Sequence, residues 1–181
     1  MDKAAVLIDG AYLDFSMRRQ LRRQVDYARL VQELLPPGTE LLRAYYYTAP
    51  PHLSARPSGE DLERRRAFEE FLDAMAGVPR FDVRLGATAR RNDARGRTRY
   101  EQKRVDLLLG LDLVRLAGSG KVAQVHLVAG DSDFVPAVEV AKEQGVLCVL
   151  HHTGGAHRDL LSAADERRRI DSAFIAAVRR S

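Results

Sequence analysis

The chain has a single cysteine, Cys148, among its 181 residues. An intrachain disulfide and a thiolate metal cluster are therefore excluded. No apolar run approaches the length needed to span a bilayer. The N-terminus carries one lysine and passes straight into a strand-like segment, unlike a signal peptide. These absences point to a cytoplasmic protein with no membrane partner. There is no glycine-rich phosphate loop with a Lys-Ser/Thr pair, so NTP hydrolysis is unsupported. Ser132 lacks the nucleophile-elbow setting of a hydrolase serine. His151, His152 and His157 lack the acids or cysteines that complete a zinc motif. They are expected as loop residues after the last clear strand. No internal repeat or low-complexity segment is visible.

What is present suits one domain spanning residues 1–181. Hydrophobic residues make up 45%, enough for a sizeable core, and the formal net charge is +4. Nearly all the basic charge is arginine. Arginine forks onto phosphate in a bidentate manner, which suits a nucleic-acid partner. An Ala-, Leu- and Arg-rich composition also reflects GC-rich coding, and the bulk charge does not separate the two readings.

Apolar runs over 4–9, 41–48, 81–85, 122–129 and 146–150 predict strands. Helical spacing predicts helices following residue 10 and over 27–35, 60–75, 105–116 and 134–144, with a last helical region over 159–181 that is broken near its middle. Residues 49–59 and the polar stretch 87–102 read as loops. This alternation predicts an α/β fold, a parallel sheet with helices on both faces. An apolar sheet edge or helix could support a homodimer.

Three strand or helix ends deliver carboxylates. Asp9-Gly10 follows the first strand directly. Gly130-Asp131-Ser132-Asp133-Phe134 follows the strand ending near Ala129. Asp106 begins an apolar helical run after Lys103-Arg104-Val105, and Asp112 lies six residues on. Acids gathered at strand ends repel one another unless a cation lies between them. Mg²⁺ or Mn²⁺, bound through carboxylates and water, fits such a set. Each acid also has a plainer role. Asp9 or one of Asp131, Ser132 and Asp133 can cap a helix. Asp106 can pair with Lys103 or Arg104, and Asp112 with Arg115.

Basic residues offer places for a phosphate backbone. Arg90, Arg91, Arg95, Arg97, Arg99, Lys103 and Arg104 lie just before Asp106. Arg18, Arg19, Arg22 and Arg23 form a second basic run that reads equally as a solvated helix face. Tyr45, Tyr46 and Tyr47 could stack bases, although alternation along a strand sends at least one of them to the core.

Asp9-Gly10, Lys103-x-Val105-Asp106 with Asp112, and Gly130-Asp131-Ser132-Asp133-Phe134 with Pro136 together resemble the NYN domain family, over roughly residues 4–175. Ala163-Ala164-Asp165 is similar to the C-terminal helix of its LabA-like subgroup. The resemblance implies a PIN-like three-layer sandwich with a mostly parallel central sheet, related to flap-endonuclease-like nucleases. It implies a metal-dependent ribonuclease with RNA as partner and Mg²⁺ or Mn²⁺ as cofactor. The catalytic and metal-binding acids would be Asp9, Asp106, Asp131 and Asp133, with Asp112 a further ligand. Many family members carry asparagine three residues after the first aspartate, where this chain has Tyr12. A nucleic-acid-binding or regulatory module with a residual acidic pocket is the alternative. A metal-dependent phosphatase is a third reading, without the Asp-x-Asp pattern such enzymes carry after their first strand.

Overall fold

The segment Ala4–Ile8 has no exposed surface at all. A strand buried on both faces must be central in a parallel sheet covered by helices, and that is where it lies. A computed structural model of the chain describes residues 2–16, 25–92 and 98–179, and of residues 90–92, 98 and 99 it describes the backbone. In chain order the elements are β1 (Lys3–Asp9), α1 (Gly10–Ser16), α2 (Tyr27–Leu34), β2 (Glu40–Thr48), α3 (Gly59–Ala76), β3 (Phe81–Leu85), β4 (Ala87–Asn92), β5 (Thr98–Lys103) and α4 (Val105–Gly118). They continue with β6 (Gln124–Val128), a 3₁₀ turn (Ser132–Phe134), α5 (Val135–Glu143), β7 (Leu147–His152), α6 (Arg158–Ala163), β8 (Glu166–Arg169) and α7 (Ser172–Ala177).

Six strands form the central sheet in the order β3-β2-β1-β6-β7-β8. Every neighbouring pair in it is parallel. The chain runs outward from β1 to β3, then returns to β6 on the other flank of β1 and runs outward again. Side-chain alternation divides the core in two. Leu7, Tyr45, Tyr47 and Leu127 pack with Leu109 and Leu113 of α4, Val138 of α5 and Leu160 of α6. Val6, Ile8, Tyr46 and Val128 pack with Leu30 and Leu34 of α2, Met75 of α3 and Val178 beyond α7. The result is a three-layer α/β sandwich. Among the described residues no helix is long and apolar enough to cross a membrane.

Two expectations are corrected. Residues 87–102 do not form a loop: β4 and β5 pair antiparallel from Ala87↔Lys103 to Asn92↔Thr98, outside the main sheet. The C-terminal region is not all helical, because β8 adds a sixth parallel strand to β7. Its sequence Glu-Arg-Arg-Arg has no apolar alternation, as suits a charged edge strand that resists further pairing.

His151 and His152 lie in β7 and are not loop residues, while His157 caps α6 by accepting the Asp159 N–H. His151 is buried against His126 of β6, with Nε2 2.9 Å from His126 Nδ1. His126 Nε2 lies 3.2 Å from Gln124 Oε1 and also meets the Leu34 carbonyl. With the Gln124 amide oxygen beside Nε2, the assignment that satisfies both contacts puts the His126 proton on Nε2 and lets Nδ1 accept from His151. Burial pushes the His126 imidazole down to about 4, with Arg168 adding to the effect. Burial pushes His151 down to about 3, with His126 and Arg168 adding to it. Both folded values lie below the free value near 6.5, so the unfolded chain binds more protons below that pH. Stability from this pair is therefore present above pH 6.5 and is lost as pH falls towards 4 and 3. Replacing both rings together, His126→Leu with His151→Leu, is expected to flatten the melting temperature between pH 6.5 and 4 relative to the parent. Thermal melts across that range check it.

Candidate functional site

The reversal of direction between β1 and β6 makes a topological switch point, and ligands of open α/β sheets bind in the crevice outside the carboxyl ends of the strands there. Ile8 pairs with Val128, so Asp9 and the Ala129-Gly130-Asp131 turn emerge side by side at that crevice. Asp9 is the last residue of β1 and its side chain is buried. Its Oδ1 accepts the N–H groups of Ala11 at 3.0 Å and Tyr12 at 3.2 Å, which starts α1. Asp131 caps the 3₁₀ turn through Oδ1, accepting the Asp133 N–H at 3.0 Å. Asp133 sits within that turn. Asp106 enters from the first turn of α4.

These four acids feel one another. Burial pushes the Asp9 carboxyl up to about 6, and the charges of Asp106 and Asp131 add to it against the lowering effect of the two N–H donors. Asp106 is raised first by desolvation, then by Asp131 and Asp133. Among the described residues no basic side chain forms an ion pair with any of the four: Lys103 turns to Glu101 at 3.2 Å. The pairing of Asp106 with Lys103 or Arg104 does not form. Arg104 instead occupies the N-cap of α4 at φ 69°, a left-handed conformation that costs a non-glycine residue on the order of 1–3 kcal/mol.

Asp112 is not brought to this group. Its Oδ1 accepts from Arg115 at 2.9 Å, and its Oδ2 accepts the Tyr47 hydroxyl at 3.0 Å beside Arg84 at 3.4 Å. The Arg115 bond expected as its plainer role is the one that forms. The tyrosines Tyr45, Tyr46 and Tyr47 are all buried, Tyr45 and Tyr47 on one face of the sheet and Tyr46 on the other, so none is free to stack on a base. Arg90, Arg91 and Arg99 lie on the β4–β5 ribbon, with Lys103 at its foot. Arg95 and Arg97 fall outside the described residues, as do Arg18, Arg19, Arg22 and Arg23.

Two glycines permit the close approach. A Cβ on Gly10 would stand 2.5 Å from the Tyr46 ring and 2.7 Å from the Tyr47 carbonyl. A Cβ on Gly130 would overlap the Tyr12 ring. Tyr12 spans the crevice: its N–H goes to Asp9, its ring lies on Gly130, and its hydroxyl accepts the Thr153 N–H at 3.0 Å. It thus ties the ends of β1, β6 and β7 together.

A divalent cation fits these residues as a donor set, since carboxylate oxygens with no basic partner suit a hard ion. Among the described residues no three acid, histidine or cysteine side chains already stand close enough to enclose an ion. Mg²⁺ takes one or two carboxylates and fills its octahedron with water and substrate phosphate, so a closed protein cage is not required.

The NYN domain family model matches residues 3–171. The chain belongs to the NYN domain family. Its fold is also that of a protein of unknown function from Vibrio parahaemolyticus, at 25% identity and a TM-score of 0.65, covering 96% of this chain and 95% of that one. A structure of MurG from Acinetobacter baumannii is matched at 10% identity and a TM-score of 0.40, covering 94% of this chain and 42% of that one. No curated protein matches the chain. The family and the architecture make this NYN domain a PIN-like, nuclease-type fold.

Two outcomes are expected of this geometry. Asp9 has its folded value, about 6, above its free value of 3.8, so ionised Asp9 opposes folding and the opposition grows as pH rises through that window. Asp9→Asn keeps the capping oxygen and is expected to stabilise the metal-free protein by on the order of 1–3 kcal/mol at pH 7.5, with no gain near pH 4; denaturant melts at both pH values check this. Gly130→Ala is expected to destabilise by about 1–3 kcal/mol through overpacking, and by much less in a Tyr12→Ala background. A double-mutant cycle reads that coupling.

Proposed function

We propose that this NYN domain, of the LabA-like kind, is a metal-dependent ribonuclease acting in the cytoplasm as one domain. The observation that supports it best is the group of four aspartates at the switch point, mutually repelling and without a basic partner among the described residues. Asp9, Asp106, Asp131 and Asp133 would hold Mg²⁺ or Mn²⁺. A bound ion supplies a hydroxide nucleophile at neutral pH and stabilises the leaving oxygen of a phosphodiester. Asp9, fixed by two backbone N–H groups, and Asp131, fixed by its cap, each have a second oxygen with which to orient the attacking water. Arginines of the β4–β5 ribbon, with Lys103 and Arg104, would position the RNA backbone, since phosphate contacts position without specifying sequence.

A binding module without turnover is the second reading. The observation favouring it is Tyr12, whose hydroxyl is taken by Thr153 and whose ring fills the space over Gly130.

Asp131→Asn keeps the acceptor that caps the turn, so the fold is expected to survive. Cleavage of labelled single-stranded or structured RNA in Mn²⁺ is expected to fall at least a hundredfold in this variant and to vanish in EDTA. Turnover that persists unchanged in Asp131→Asn removes the acid group from the chemistry. RNA binding with no turnover in the parent selects the second reading.

A further inference from the structure

We propose that Tyr100 and His52 form a nucleobase-binding site beside the aspartates, and that it gives the domain a preference for unpaired RNA. The proposal deepens the ribonuclease reading, on which it rests only for the claim that the strand bound there is the strand cut.

Of the six tyrosines, five are buried or half-buried and Tyr100 is 54% exposed. An exposed tyrosine in the middle of a polar strand is not explained by burial in the core. Its ring stacks on that of His52, with centroids 4.9 Å apart and planes 26° from parallel. The pair is held in place: Thr88 Oγ1 donates to the Pro50 carbonyl at 2.6 Å, pinning the ribbon to the loop that carries His52. Gly86 fixes the foot of the ribbon, where a Cβ would meet the Lys103 carbonyl at 2.5 Å and Val105 Cγ2 at 2.6 Å.

One open groove runs from this platform to the start of α1, next to Asp9 in the chain. It is lined by Tyr100, His52, Pro50, Thr48 and Ala11. Ala11 is the residue whose N–H holds Asp9. Tyr100 lies three residues along β5 from Lys103, a rise of about 10 Å, and Asp106 follows three residues later. The acids on the far wall of the groove are paired, Asp61 with Arg64 at 2.7 Å and Glu70 with Arg66 at 3.0 Å. In sequence, residues 87–104 carry Arg90, Arg91, Arg95, Arg97, Arg99, Lys103 and Arg104 against Asp93 and Glu101. The chemistry that fits is an anionic strand with flat faces. A base can lie on a tyrosine ring only when it is unpaired, so the site selects single-stranded over duplex RNA.

The test uses the full chain in EDTA, where no metal-dependent cutting occurs, with a labelled oligoadenylate of about twelve nucleotides and a duplex of the same length. The chain has no tryptophan, so its ultraviolet emission is tyrosine emission and Tyr100 is the ring open to quenching. The single strand is expected to quench that emission and to bind more tightly than duplex. Tyr100→Ala is expected to weaken single-strand binding about tenfold and to remove the quench, with duplex binding unchanged. Tyr100→Phe is expected to stay within about twofold of the parent. Equal single-strand affinity in Tyr100→Ala, or an equal loss for duplex, overturns the proposal, as does a parent that binds no single strand. Because binding is read without metal, failure to cleave RNA in Mn²⁺ sinks the nuclease reading alone. Cleavage that ignores Tyr100→Ala sinks the platform alone.

Discussion

The parallel pairing of β1 with β6 is the constraint on which the rest of the structure depends. Its register, Ala4↔Gln124 to Ile8↔Val128, sets Asp9 and the Gly130-Asp131 turn at one level of the sheet edge. It also brings Gly130 under the Tyr12 ring of α1, where a Cβ has no room. The carboxyls of Asp9 and Asp106 are raised, first by burial and then by neighbouring acid charge. The buried strands that enforce the register are also what makes the repulsion tolerable, since burying a Val, Leu or Ile side chain contributes about 1.5–3 kcal/mol and β1 alone buries five consecutive apolar residues completely.

The molecule holds two clusters of titratable groups and resolves them by different chemistry. His126 and His151 satisfy each other because a neutral imidazole both donates and accepts, so the pair is self-sufficient while uncharged. Ionised carboxylates only accept. Asp9, Asp106, Asp131 and Asp133 therefore cannot satisfy one another, and Asp9 draws instead on the Ala11 and Tyr12 N–H groups and Asp131 on that of Asp133. A proton already competes for Asp9 near pH 6. The histidine pair is thus satisfied within the fold, whereas burial and neighbouring charge leave the Asp9 and Asp106 carboxyls raised.

How much of this was legible in the sequence follows the same division. β1, β2, β6 and β7 announce themselves as apolar runs because both their faces are covered, and the acids stand out because each follows such a run or opens an apolar helix. β8 and the β4–β5 ribbon were read as helix and loop because strands at a charged edge, or outside the main sheet, do not need apolar alternation. Asp112 entered as a further ligand through the family resemblance, and six helical residues turn it away from Asp106, towards Arg115 and Tyr47. His126 was passed over because a lone histidine in an apolar strand carries no spacing signal, and its partner arrives from β7, twenty-five residues away. Tyr100 was hidden among arginines, while the three consecutive tyrosines of β2 drew attention and proved to be core.

The β4–β5 ribbon is the element whose presence folding alone explains least. An isolated two-stranded hairpin is at best marginally stable in water, and the register sets Arg91 opposite Arg99, two positive charges at one level of the ribbon. Like charges at opposed positions disfavour pairing. What holds the ribbon is local: the Thr88 bond to Pro50, the tight fit at Gly86 and the stacking of Tyr100 on His52. A polyanion lying along it would offset the charge repulsion, as the proposed function requires. On the ribonuclease proposal, the basic sequence of the ribbon and the acids of the crevice would serve one ligand, a phosphodiester strand carrying a divalent ion. What ties them is the chain itself: β5 ends at Lys103 and α4 opens at Val105, so Asp106 stands three residues from the foot of the ribbon.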